Sequence, residues 1–211
     1  MKRIRQSGCF AALAAAAVLV TAGCTSDNGD PTDTASESAS ATAGTSAKAS
    51  PRAPQPTLTA PSLQPPPQKQ YGRPDVAFDP CTWIPDDVIA QAGFDPSSRK
   101  RHDRVAEITF LNCDFSSKTR NLSVISGNAT WDEDLQKNRA WIEPITINGR
   151  EAMWVRDPGL ARGCDIHLRT KAGFVDLGTT VLLGGLSEGV QPCDGLLDIA
   201  TAIEPTIGKD N

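Results

Sequence analysis

The sequence lacks the frames that most catalytic chemistry needs. No G-x-S-x-G or S-x-x-K motif presents a serine nucleophile. No C-x-x-C pair sets up a zinc or redox site. "LLGGLSEG", Leu182 to Gly189, is glycine-rich but lacks the Lys-Ser/Thr of a phosphate loop. It reads as a connection before the last helix. Only two histidines occur in 211 residues. No internal repeat is visible, and no apolar run approaches the roughly 20 residues that a membrane-spanning helix requires.

What is present begins with a positive start, Lys2, Arg3 and Arg5, followed by the short apolar run Phe10 to Val20. Small residues then lead to Cys24 in Thr21-Ala22-Gly23-Cys24. That order is the one found in a secretory signal peptide. Its end resembles a lipobox, the bacterial lipoprotein signal, with Thr21 where Leu is usual. Residues 1–23 are therefore expected to be a lipoprotein signal peptide, and Cys24 the lipidated N-terminus. Diacylglyceryl and acyl groups on Cys24 would hold the protein at the extracytoplasmic face of the cell membrane.

Removing residues 1–23 takes away three basic residues and no acidic one. It leaves 18 Lys+Arg against 25 Asp+Glu, a formal charge of −7. A nucleic-acid partner is not expected from that balance. Anionic lipid headgroups would not attract the chain either, so lipidation must supply the membrane attachment.

Thr25 to Pro74 holds 14 Ser/Thr, 9 Pro and 8 Ala, with Leu58, Leu63 and Tyr71 as its large apolar groups. So little apolar area cannot offset the entropy of ordering. Residues 24–74 are expected to be the anchor and a disordered tether, stiffer at "QPPPQ", Gln64 to Gln68.

The remaining 137 residues, 75–211, make one domain. Helices are expected in "WIPDDVIAQAGFD", with Pro85 at the start and Gly93 as the stop, and in "QPCDGLLDIATAIEP", between Pro192 and Pro205. A third is expected over Thr130 to Trp141, where Thr130 and Glu133 form a capping box. Between them lie strand pairs 107–117 with 120–127, "IEPITIN" with "REAMWVRD" about Asn148-Gly149, and "RGCDIHLRT" with "GFVDLGTTVLL". The fold class expected is α+β: an antiparallel sheet of about six strands packed by two or three helices as a compact sandwich.

Four cysteines remain in the domain: Cys81, Cys113, Cys164 and Cys193. An exported domain meets an oxidising compartment, so an even count points to two disulfides. Three pairings are open. Cys81–Cys113 with Cys164–Cys193 is favoured, because each bond would join the edge of a terminal helix to the sheet. Each would close a loop of about 30 residues, worth roughly 3–4 kcal/mol in the chain-entropy model. No metal ligands and no cofactor site are identified.

The cysteine contexts carry a resemblance. Asp79-Pro80-Cys81, Cys113-Asp114-Phe115, Cys164-Asp165-Ile166-His167-Leu168 and Pro192-Cys193 resemble the pattern of the actinobacterial secreted lipoproteins with domain of unknown function 3558. Phe115 stands where Trp is commoner. The resemblance spans the folded domain. It implies an actinobacterial host and a small α+β sandwich, and it supplies no activity and no catalytic residue.

His102, in "RKRHDR", reads either as part of an anion-binding loop or as part of a solvated charged loop. His167 shares a strand face with Asp165 and Arg169, opposite Cys164, Ile166 and Leu168. That row reads either as the wet side of the sheet or as one lying under a covering helix and hydrogen-bonded there; an Asp165/His167 acid–base pair is the catalytic alternative. Trp83 and Trp154 read as core, whereas Trp131 or Trp141 could line a groove. No catalytic residue is assigned. The functional expectation is a non-enzymatic envelope domain that binds a protein, lipid or small ligand. The alternatives are an envelope hydrolase using Asp165 and His167, and a structural wall spacer.

Overall fold

The computed structural model describes residues 57–69 and 71–211. The expected signal segment, Cys24 and residues 25–56 and 70 of the expected tether lie outside the described residues. Within them the protein is an α+β domain built on one antiparallel sheet.

The N-terminal part of the domain holds helices α1 (Pro80–Trp83) and α2 (Asp86–Gln91) and strands β1 (Asp95–Arg101), β2 (Arg104–Val105), β3 (Thr109–Ser116) and β4 (Arg120–Gly127). Helix α3 (Trp131–Asn138) follows, then β5 (Ile142–Ile147), β6 (Arg150–Val155), β7 (Gly163–Arg169) and β8 (Phe174–Val181). Helices α4 (Leu183–Ser187) and α5 (Leu196–Ile207) complete it. The strand order is β1-β3-β4-β8-β7-β6-β5, with β2 also paired to β3. The seam of the sheet is β4 against β8, from Arg120↔Val181 to Gly127↔Phe174.

Helices cover both faces. Alternation puts Cys164, Ile166 and Leu168 of β7 on one face with Val175 and Leu177 of β8 and Leu122 and Val124 of β4. Helix α5 lays Leu196, Ile199, Ala200, Ile203 and Ile207 on this face, at helical spacing, beside Ile84 and Ile89. On the other face α3 packs Trp131 against Met153, Val155 and Phe174.

Both disulfides tie helical segments to the first face. Cys81 of α1 pairs with Cys113 of β3, and Cys164 of β7 pairs with Cys193 ahead of α5. These are the two pairings favoured above.

Several local signals produce the elements expected of them. Thr130 and Glu133 cap α3 reciprocally. Asn148 and Gly149, at φ 51° and 88°, turn β5 into β6. Pro205 departs from expectation. It lies inside α5, which runs on to Ile207 and begins at Leu196, after Gly195, rather than at Pro192. A proline has no N–H for the carbonyl four residues back. That carbonyl, on Thr201, accepts the Asn148 side-chain amide at 2.9 Å instead.

Two expectations are corrected. The sheet has eight strands rather than about six, because 95–105 pairs with β3. The "RKRHDR" segment is thus mostly strand, with Lys100, His102 and Arg104 exposed as the solvated reading has them and Arg99 and Arg101 turned inward. Arg99 donates to Ile84 O at 3.0 Å and lies over the Phe115 ring. Arg101 bridges Asp79 and Asp103 at 2.6 and 2.9 Å, with its side chain 11% exposed. His102 faces Asp114 at 3.5 Å.

The expected boundary between tether and domain, at residue 75, also moves. Thr57 and Leu58 donate to Thr82 O, and Leu63 O accepts from Arg101 Nε at 3.1 Å. The Gln68 side chain exchanges two hydrogen bonds with the Val76 backbone. Residues 57–69 form a strap against the domain, held by backbone hydrogen bonds that composition does not report.

Candidate functional site

The most concentrated ionisable chemistry lies where α3 crosses β7 and β8. Helix α3 turns Trp131, Asp134, Leu135 and Asn138 toward the sheet, at i, i+3, i+4 and i+7. Two of those four are polar. Asn138 donates to Asp134 Oδ1 at 2.8 Å, which leaves Asp134 Oδ2 for the sheet.

His167 meets it there. Its Nδ1 lies 2.6 Å from Asp134 Oδ2, and its Nε2 lies 3.5 Å from Asp176 Oδ1 on the neighbouring strand. Strand register sets the second contact, because His167 and Asp176 are direct cross-strand partners. Phe174 stacks on the imidazole, with centroids 5.1 Å apart and planes 3° from parallel. His167 is 7% exposed. The row is therefore split between the two readings. Helix α3 covers His167, while Arg169 stays exposed and pairs with Glu151 at 2.7 Å.

Asp165 completes the group. It faces Gly178, and its Oδ1 takes the space that a side chain there would need, 2.6 Å from the position of a Cβ. Burial, reinforced by Asp176 and opposed by His167, pushes the Asp165 carboxyl up to about 7. Burial raises the Asp176 carboxyl as well, against the pull of His167. Its Oδ1 is buried and accepts no hydrogen bond. For His167, burial disfavours the charged ring. Asp176, the hydrogen bond to Asp134 and the remaining carboxylate charge outweigh it and raise the imidazole above its ordinary value.

The arrangement is a buried cluster in which one imidazole ring has a carboxyl group at each nitrogen. It differs from a catalytic relay in one respect: both ring nitrogens face carboxylates, and no hydroxyl or thiol hydrogen-bonds to either. The adjacent groove, about 160 Å³, is lined by Trp131, Asp132, Arg169, Thr170, Lys171 and Gly173, among others, and by none of His167, Asp165 or Asp176. Among the described residues, no three His, Cys, Asp or Glu side chains converge as a metal site would.

Sequence reading singled out Asp165 and His167 but missed Asp134 and Asp176. The signal for Asp134 was available. It shares the inward stripe of α3 with Trp131 and Leu135, and a carboxylate in that stripe needs a buried partner. Asp176 carried no comparable mark. Of the tryptophans, Trp131 edges the groove and donates to Glu151 Oε1 at 3.0 Å, while Trp83 and Trp154 pack on the main core.

The family profile described as "Protein of unknown function (DUF3558)" matches residues 19–206. The chain belongs to the DUF3558 family. No curated protein and no solved structure matches it. Two disulfides in a member of this size point to an extracytoplasmic domain. Among the described residues no helix is long and apolar enough to cross a membrane.

Proposed function

We propose that this DUF3558 member is a lipoprotein of the actinobacterial envelope, anchored through Cys24 at the extracytoplasmic face of the membrane. Its domain serves as a non-enzymatic binding module for an envelope protein, lipid or small ligand. The observation that carries the non-enzymatic reading is the enclosure of His167. Its nitrogens face Asp134 and Asp176 beneath α3, it is 7% exposed, and the adjacent groove is not lined by it. The lipobox-like Thr21 to Cys24 supports the anchor.

An envelope hydrolase using Asp165 and His167 is the second reading, favoured by one observation: the Asp165 carboxyl sits at about 7, where a general acid–base operates best. Assay of ester, amide and glycoside substrates with wild type and Asp165→Asn separates the two. Turnover that the variant abolishes without loss of folding would overturn the binding-module reading.

The anchor is tested by Cys24→Ser. The variant should leave the membrane fraction and lose the mobility shift and mass of the lipid. A variant that still fractionates with membranes at unchanged mobility refutes the anchor.

A further inference from the structure

Helix α4 is built with its small residues inward and its large ones outward. A Cβ on Gly185 would lie 2.4 Å from Thr119 O and 3.0 Å from a Val181 methyl. Gly184 sits over Lys118 O at 3.3 Å by the same measure. The helix backbone is thus seated directly on the β3–β4 turn. Leu183 and Leu186, three residues apart, point away from it and are 77% and 45% exposed. A surface helix that packs on its own domain shows the reverse order.

Two more leucines share this end of the sheet. Leu160 is 48% exposed and packs beside Gly163, which opens β7 opposite Thr180. Leu197, 45% exposed, lies in the first turn of α5. The segment before α5 is held here by Arg120, which donates to Asp194 O, and by Thr179, which donates to Pro192 O at 2.7 Å. Isolated exposed leucines are ordinary on any surface, but four gathered at one end of a sheet are not.

We propose that this leucine-bearing end is the face the domain lays on the bilayer surface, its side chains entering the headgroup–acyl boundary. The inference rests on the anchored-lipoprotein reading. Four leucines at 45% to 77% exposure offer on the order of a few hundred Å² of apolar area, short of the roughly 800 Å² a side that a stable protein interface buries. A bilayer contact needs less, because the anchor already holds the domain close. Thr57 lies 33 residues beyond Cys24, a span of roughly 29–34 Å r.m.s. for a chain of flexible composition. Nearby exposed charges are of both signs with no basic surplus, Lys118 and Arg162 against Glu188, Asp194 and Asp198. The attraction is therefore apolar and insensitive to salt.

The test uses the lipidated full-length mature chain in phosphatidylcholine vesicles. A nitroxide is placed by Leu183→Cys, by Leu186→Cys as a second site, and by Glu107→Cys at the opposite end of the sheet as control. Vesicles should raise collisions with apolar oxygen over those with a polar nickel chelate several-fold at 183 and 186, and leave 107 unchanged. An unchanged ratio at both leucine sites overturns the proposal. So does immobilisation at 183 that needs no vesicles and grows with protein concentration, which would make the occupant a second copy. The anchor stands or falls separately, on the lipid mass and on Cys24→Ser fractionation.

Discussion

Asp134 on α3 and His167 on β7 meet at 2.6 Å, and this contact pins the helix to the face of the sheet that it covers. The Asp134 charge helps hold the imidazole above its ordinary value. Asp134→Asn keeps the shape and removes the charge. By NMR, His167 should titrate above 6.5 in the wild type and lower in the variant. His167→Ala should cost about 3 kcal/mol, because it leaves two buried carboxylates facing a cavity. Denaturant unfolding measures that loss.

The same cluster fixes a pH dependence of stability. A carboxyl raised to about 7, as Asp165 is, binds its proton more tightly in the folded state. Stability from this group therefore falls as pH rises from its unfolded value near 4 to about 7. His167, also raised, contributes stability that is complete below 6.5 and is lost as pH climbs through its folded value. Glu133, lowered to about 2 by Arg73 and by the Thr130 cap, works oppositely and is lost as pH falls from about 4.5 toward 2. The melting temperature should peak in the mildly acidic range. Between pH 5 and pH 8 it should drop by several degrees, on the order of 2 kcal/mol. Asp165→Asn should flatten that slope.

Arg101 is predicted to be the most costly single cation to remove. Its side chain bonds Asp79, Asp103 and Leu63 O, and the two carboxylates are only 4% and 7% exposed. Arg101→Met should destabilise by about 3 kcal/mol and render residues 57–69 cleavable in limited proteolysis. Arg101→Lys should recover only part of this, since one ammonium cannot reproduce the guanidinium fork.

Asn148 has two tasks that substitution can separate. It adopts φ 51° in the β5–β6 turn, and its side chain serves the carbonyl that Pro205 leaves without a helical donor. Asn148→Gly keeps the first and loses the second, at about 1 kcal/mol. Asn148→Ala loses both, at about 2 kcal/mol. Equal losses in the two variants would show that the positive φ adds nothing, and an Asn148→Gly variant as stable as the wild type would show that the contact to Thr201 adds nothing.

These residues also mark what sequence could and could not reveal. The hairpins β3–β4 and β5–β6 were legible because alternation and turn chemistry are local, and Asn148-Gly149 announces itself. Strand β1 was not, because Asp-Pro-Ser-Ser-Arg-Lys-Arg has no apolar alternation. It exists through an irregular pairing with β3 and through partners that Arg99 and Arg101 find in distant segments. The face on which His167 lies was legible from a period of two. Whether water or a helix covers that face was not, since it depends on where α3 lands after the β4 connection.

The four cysteines of the folded domain pair in sequence order, Cys81 with Cys113 and Cys164 with Cys193, and neither bond crosses the β4–β8 seam. A chain delivered amino-terminus first can therefore close Cys81–Cys113 before Cys164 has emerged. Each thiol meets its correct partner as the nearest one available. Oxidation of this domain needs no reshuffling, and its two halves can be locked one after the other before they are zipped together along the seam.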